Sequence, residues 1–430
     1  MSIAKHITYE RTKQGTDIYL LPTQLRDIVI AHIALPGGIH RTGNTEALAM
    51  LLSGMMPSGT RGMSRNAVRE RIEDLGAQVS VHEGSEHLFL KVIARKKVFG
   101  EVLDLLLQVV IAPRFNTREY TETLTRLDTA LLNDQEDTHA QAAVARSHAL
   151  YRRGHPHWIL PPEEARAQLK QVSLDEVRAF HHKTLSAVGA VVVVCGDIAV
   201  STLRTMLEDL CAQLPAERPS RVVDVHIDKT RAPDTADIVI PMADKMNVDT
   251  LLAVPLSITR DHDDYHPLAT GVYTLGGSPT SRLFMSLRNR QSLTYGAYAS
   301  LGGLENGYPG YLSARAIFPH NVFLRGRDAL RIEVAKWTEK GITARELDAC
   351  KEELAGKHKV GLSTTSGRAS ALLGTILNGK TPDHLDEYPN TIQALTRAEV
   401  NRAIKEHVSY DLAITAAAGS VSPDGTPLAA

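Results

Sequence analysis

The sequence predicts an α+β protein made of two structurally similar domains in tandem, each a largely antiparallel sheet packed with helices. Three observations carry this. Ser173-Leu174-Asp175-Glu176-Val177 opens a segment ending in Val191-Val192-Val193-Val194 and Gly196. Thr396-Arg397-Ala398-Glu399-Val400 opens one ending in Leu412-Ala413-Ile414-Thr415-Ala416 and Gly419, offset by 223 residues at both ends. A second echo, Asn116-Thr117-Arg118-Glu119 against Thr343-Ala344-Arg345-Glu346, recurs at an offset of 227. Strands and helices also mix without strict βαβ alternation, which favours antiparallel sheets over a doubly wound parallel one.

The elements follow in order. Two early strands surround Ile18-Tyr19-Leu20-Leu21 and Ile28 to Ala34, and a helix covers 45–56. Ser64 caps a helix with Val68, Ile72 and Leu75 on one face, and Gly76 stops it. Val79 and Val81, then Leu88, Leu90 and Val92, alternate across a polar turn at Glu83-Gly84-Ser85, as in a hairpin. The apolar helix Val98–Val110 ends before Pro113. Each copy of the first echo begins with a hydroxyl residue and has a glutamate three positions on. That is a capping box, in which hydroxyl and carboxylate each satisfy an orphan backbone N–H. Both copies then run helix, loop, apolar strand, glycine. Leu214-Pro215-Ala216-Glu217-Arg218-Pro219-Ser220 and the polar stretch to Pro233 read as a linker. The domains are therefore expected at 1–214 and 235–430, with the linker at 215–234.

Composition narrows the function classes. Hydrophobic residues make up 43% of 430 and charged residues 23%, the balance of an ordinary globular protein. A formal charge of −1, with both signs interspersed, gives no electrostatic reason to expect nucleic acid or an anionic membrane as partner. Cys195, Cys211 and Cys350 lack metal-type spacing, and Cys195 in its valine run reads as a buried thiol. No uninterrupted apolar run reaches spanning length. The first ten residues lack a signal-peptide core, so the cytoplasm is expected, or the periplasm if a signal peptide has been removed. Asp261-His262-Asp263-Asp264 reads as an exposed helix start, His181-His182 as solvated surface, and His155-Pro156-His157-Trp158 as a structural loop.

Ala47-Leu48-Ala49-Met50-Leu51-Leu52-Ser53-Gly54 reads like an inverzincin zinc helix without its chemistry. Such helices carry H-x-x-E-H, two histidines for zinc and a glutamate that activates water. Met50 and Gly54 stand at the histidine positions and Ser53 at the glutamate. By itself the segment is an apolar core helix. Met50 offers only a weak thioether, and Gly54 in a helix costs about 1 kcal/mol against alanine unless it permits a close approach.

In the second half, Thr280 or Ser281 can cap a helix that turns Leu283, Phe284 and Leu287 inward and leaves Arg288 on its edge. Asn289 to Ser292 end it, and Leu293, Tyr295 and Ala297 alternate as along a strand. Arg282 and Arg290 read as solvated or ion-paired.

With Gly37-Gly38, Pro57-Ser58-Gly59-Thr60, His155-Pro156, the Val-Val-Val-Cys-Gly-Asp strand at 192–197, Leu275-Gly276-Gly277 and Ser281 to Tyr295, the sequence resembles the pitrilysin/insulinase family of zinc peptidases. Within it the chain is similar to bacterial members related to mitochondrial processing peptidase. The resemblance spans nearly the whole chain and implies half of a metallopeptidase clam shell. Family spacing places the third zinc ligand, a glutamate, at Ala130. All three ligand positions and the base position are thus replaced. The family's L-R-x-x-x-x-x-x-Y pattern falls on Arg288 and Tyr295, implying that they hold the peptide at the zinc.

The resemblance thus implies a non-catalytic subunit of a heteromeric zinc peptidase, inactive alone. It would hold no metal of its own and would complete a partner's zinc site in trans on an extended peptide substrate. The alternative is a purely structural or peptide-binding scaffold of the same fold.

Overall fold

The computed structural model describes residues 2–23, 27–37, 46–56, 59–84, 86–212, 214, 237–304 and 307–428. Gly38, Pro57, Ser58, Ser85 and the expected linker 215–234 lie outside them. The chain divides into two compact units. One collects Met1–Leu131, Glu163–Asp224 and Lys357–Tyr388; the other collects Leu132–Pro162, Val225–Gly356 and Pro389–Ala430. The units are therefore assembled from separated stretches rather than from the continuous runs 1–214 and 235–430.

The first unit holds β1 (Thr8–Arg11), β2 (Asp17–Leu21), β3 (Ile28–Pro36), β4 (Gln78–Glu83), β5 (His87–Arg95) and β6 (Val191–Gly196), in the order β1-β2-β6-β3-β5-β4. The second holds β7 (Asp237–Pro241), β8 (Asn247–Pro255), β9 (Ala297–Gly302), β10 (Tyr311–Pro319) and β11 (Ile414–Gly419), in the order β7-β11-β8-β10-β9. Among the described residues each sheet contains one parallel pair, β2 with β6 and β7 with β11, and is otherwise antiparallel. The predicted hairpin is β4–β5, with Val79 opposite Val92 and Val81 opposite Leu90.

Helices of the N-terminal half are α1 (Glu46–Met55), α2 (Arg65–Asp74), α3 (Phe99–Ile111), α4 (Thr117–Gln135), α5 (Thr138–Leu150), α6 (Pro162–Leu169), α7 (Leu174–Thr184) and α8 (Val200–Cys211). The C-terminal half adds α9 (Tyr265–Gly276), α10 (Phe323–Lys340), α11 (Ala344–Gly361), α12 (Thr365–Leu377), α13 (His384–Ala394) and α14 (Arg397–His407). Both capping boxes form, Ser173 with Glu176 on α7 and Thr396 with Glu399 on α14. The glycine closing each repeat has a steric reason. An added Cβ at Gly196 would lie 2.8 Å from the Ile28 carbonyl, and at Gly419 2.7 Å from that of Asn247.

The central strands are buried on both faces because each sheet takes a covering helix from the other half of the sequence. In the first unit Ala369, Leu372 and Leu373 of α12 pack on Leu21, Ile30, Ala34, Val191, Val193 and Cys195. Burial there pushes the Cys195 thiol up to about 12, which leaves it inert. In the second unit Ala142 of α5 packs on Leu251 and Ala418, and Leu150 on Ala253 and Ile414. A polar latch fixes α5: buried Asp249 accepts from Thr138 Oγ1 at 2.8 Å and from the Arg315 guanidinium at 2.8 Å.

His32 of β3 lies under α12, its Nδ1 3.4 Å from Ser370 Oγ. Burial, then Lys91 and His82, depress its imidazole to about 4 from the ordinary 6.5. The unfolded chain thus takes up this proton first. The stability that neutral His32 contributes is complete above about pH 6.5 and is lost as pH falls through about 4. Urea midpoints measured across that window should fall more steeply for the parent than for His32→Gln; equal slopes would show that His32 is not the group responsible.

Two expectations from sequence fail here. His181 is buried rather than solvated, and its Nε2 bonds the Val110 carbonyl at 2.6 Å, tying α7 to α3. Asp264, expected in an exposed helix start, is buried and held from α14, as detailed below.

Candidate functional site

The first region is the face of α1 that carries Met50, Ser53 and Gly54. Ala47, Ala49, Leu51, Leu52 and Met55 are buried, whereas positions 50, 53 and 54 are half-buried and share one face by their i, i+3, i+4 spacing. Helix α4 meets that face at Gly54. A Cβ there would stand 2.7 Å from Thr123 Cγ2 and 2.9 Å from Arg126 Nη2. Arg126 Nη2 also donates to the Gly54 carbonyl at 3.2 Å. The glycine is thus the close-approach point of two helices. Ala130 is exposed on α4, one turn beyond Arg126 and on the same side of the helix. Zinc requires imidazole, thiolate or carboxylate donors. These four positions offer a thioether and a hydroxyl, and the charged group touching the face is a guanidinium, of the metal's own sign. The residues do not fit zinc.

The second region lies in the other unit. Arg288 sits in a π-helical turn, Phe284–Arg290, which the sequence reading did not foresee. Wide turns of this kind recur at functional sites. Neither Thr280 nor Ser281 caps the helix: Thr280 Oγ1 bonds Ser278 Oγ at 2.9 Å, and buried Ser281 Oγ finds no partner among the described residues. Gln291 N–H bonds the Ser286 carbonyl at 3.1 Å, and Ser292 then takes a left-handed φ of 52°. Residues 291–296 are consequently a loop, not the expected strand, which begins at Ala297. Thr294 pins the loop by donating to the Ile317 carbonyl at 2.6 Å, and Tyr295 stands out from it, 90% exposed. The Arg288 guanidinium is exposed and lies 4.8 Å above the Phe284 ring. Arg282 is the ion-paired residue expected, gripping Glu346 (Nη2 to Oε2, 2.7 Å) and donating to the Gly341 carbonyl at 2.8 Å.

A third cluster, His262, Asp264 and His407, has metal-like composition. Arg402 decides against that use. Its guanidinium reaches Asp264 Oδ2 at 2.9 Å and Oδ1 at 2.5 Å, and His407 Nε2 bonds Oδ2 at 2.8 Å. The arginine, with help from His407, holds the Asp264 carboxyl at about 2. A divalent cation would have to displace a bidentate guanidinium. The cluster reads as a structural brace between the start of α9 and α14.

Sequence reasoning missed Arg126 and Tyr298, and took Phe284 for plain core. Only the packing of α4 on α1 and of the π-helical turn beside β9 gives these residues meaning.

Comparisons with known proteins bear on the family and the fold. The insulinase (peptidase family M16) model matches residues 36–157, and the peptidase M16 inactive-domain model matches residues 171–354. Two curated relatives carry differing names. One is the non-peptidase homolog YmxG of Helicobacter pylori, 21% identical over 88% of this chain and 86% of that one. The other is the uncharacterized zinc protease YmxG of Bacillus subtilis, 23% identical over 93% and 94%. A Pseudomonas fluorescens structure described as a peptidase M16 inactive domain superposes with a TM-score of 0.86 at 20% identity, covering 96% of this chain and 98% of that one. The periplasmic protease PqqL of Escherichia coli superposes with a TM-score of 0.78 at 14% identity, over 97% of this chain but 46% of its own length. Two domain models of one family, matched in chain order over well over half of the sequence, together with a fold shared from end to end, place this chain in the insulinase family of M16 peptidases.

Proposed function

We propose that this chain is the non-catalytic subunit of a heteromeric zinc peptidase and lends Arg288 and Tyr295 to a partner's site. One contrast carries the reading. The ligand and base positions Met50, Ser53, Gly54 and Ala130 hold nothing suited to zinc, while Arg288 and Tyr295 stand exposed, with side chains free to meet another molecule. The half-length match to PqqL supports pairing, since that protease is long enough to hold two such chains. The name of the Helicobacter relative supports loss of hydrolysis by the chain alone.

The partner would supply the metal, which polarises the scissile carbonyl and the attacking water. This chain's part is to bind and orient. The Arg288 guanidinium presents fixed N–H donors to the carbonyls of an extended peptide. The Tyr295 phenol donates toward the oxygen on which negative charge develops. Loss of one such donor typically costs about 2.7–4 kcal/mol of barrier, so Arg288→Ala and Tyr295→Phe should each lower kcat about 100-fold or more in the co-purified complex. Peptide turnover by the complex reads this directly. Unchanged turnover in both variants would leave the scaffold reading in its place.

A further inference from the structure

The exposed side chains around Arg288 do not end with Tyr295. In β9, Tyr298 is 55% exposed between buried Ala297 and Ala299. Its ring lies back along the strand. An added Cβ at Gly296 would stand 2.9 Å from Tyr298 Cε2 and 2.9 Å from its phenol oxygen. Any larger residue at 296 would therefore push the ring away, and the glycine lets the phenol reach the backbone beside Tyr295. Phe284 completes the arrangement. Its ring centroid lies 6.5 Å from that of Tyr298 and carries the Arg288 guanidinium on its face. Phe284 is 9% exposed, so it is a fixed support rather than a mobile contact. Guanidinium, phenyl and phenol thus form one run from the π-helical turn to β9, with two phenols turned to solvent.

Large apolar groups left in water are informative when they gather beside a polar site. Two more exposed apolar residues belong to the same segments, each 38% exposed: Met285 follows Phe284 in the chain, and Ile317 is the residue of β10 whose carbonyl Thr294 holds. A cationic end that takes carbonyl oxygens and an aromatic wall that takes a side chain suit one class of ligand, an extended peptide.

We infer that Tyr298, steadied by Phe284, is a specificity-determining residue that selects peptides with an aromatic or large apolar side chain next to the carbonyl held by Arg288. This rests on the proposed role of Arg288 in holding peptide, but not on any hydrolysis. The wall acts by removing an apolar side chain from water against the Tyr298 ring, while Arg288 contributes to all peptides alike.

The test uses the full chain without a partner, so its outcome is separable from the turnover experiment. Two blocked hexapeptides that differ only in a central Phe or Ala are titrated by fluorescence anisotropy. The Phe peptide should bind about threefold to tenfold more tightly, the range an aromatic pair supplies. Tyr298→Ser should abolish the preference, Tyr298→Phe should keep it, and Arg288→Ala should weaken both peptides by the same factor. Circular dichroism and unfolding midpoints confirm that the variants fold. Equal affinities in the parent, no measurable binding of either peptide, or a preference that survives Tyr298→Ser in a folded chain would each overturn the assignment. Unchanged turnover of Arg288 and Tyr295 variants in a complex, with the preference intact here, would remove only the catalytic reading.

Discussion

Restoring the family's residues, as Met50→His, Ser53→Glu, Gly54→His and Ala130→Glu together, is expected to leave this chain without stoichiometric zinc. The reason is the crossing of α1 and α4. Position 54 has no room even for a methyl group, because Thr123 Cγ2 would be 2.7 Å away and the Arg126 guanidinium 2.9 Å. Arg126 is the far end of a flexible side chain and can move. Thr123 is branched at Cβ, 1% exposed and cannot. A histidine at 54 must therefore force the helices apart, at about 1–3 kcal/mol for overpacking of this kind. Arg126 adds a positive charge beside the site, a direct penalty on a divalent cation. Adding Arg126→Ala and Thr123→Ala to the four changes should relieve both obstacles and raise zinc retention after dialysis, read by elemental analysis. Full zinc loading by the four-residue variant alone would show that the closure is not real.

Gly276→Ala is expected to be among the most damaging single substitutions in the second unit. Helix α9 ends on β9 so closely that a Cβ at 276 would sit 2.0 Å from the Ala299 amide nitrogen and 2.6 Å from Ala299 Cβ. Neither is the end of a flexible side chain, so either the helix or the strand must shift. We expect a loss of about 3 kcal/mol or more, the upper end of overpacking costs, because backbone rather than side chain is displaced. The matched control is Gly374→Ala in α12, where an added Cβ meets nothing within 4 Å. There helix propensity and the reduced entropy of the unfolded chain should give about 0.5–1 kcal/mol of stabilisation. Denaturant midpoints of the two variants should move in opposite directions. A Gly276→Ala protein as stable as its parent would refute the backbone contact. Since β9 carries Tyr298, peptide binding should fall along with stability.

Gly54 and Gly276 show what sequence discloses and what it withholds. Both stand in stretches whose resemblance to the family was evident, yet neither stretch says why a glycine is there. Local signals were mostly reliable, the missing cap at Thr280 and Ser281 aside: the capping boxes of α7 and α14, the cap of α2 at Ser64 and the β4–β5 register each depend on residues close together in the chain. Long-range signals were not. Asp264 follows two acidic residues and a histidine, which describes a solvated turn, but its partners Arg402 and His407 arrive from α14. His181 sits among charged neighbours, and only the packing of α7 against α3 buries it. Leu293, Tyr295 and Ala297 have the spacing of a strand, yet Leu293 and Ala297 are buried while Tyr295 is exposed, and the π-helical turn leaves no trace in an apolar period. That Met50, Ser53, Gly54 and Ala130 carry no imidazole, thiolate or carboxylate is legible from identity alone; the guanidinium of Arg126 over that face is not.

The reciprocal loan of α5 and α12 makes each half of the polypeptide an incomplete set of instructions. A peptide bond broken anywhere in 215–234 would not release two folded pieces, since each sheet would still be roofed by a helix belonging to the other fragment. Nicked protein should stay associated until it is unfolded, and neither fragment expressed singly should close its own interior.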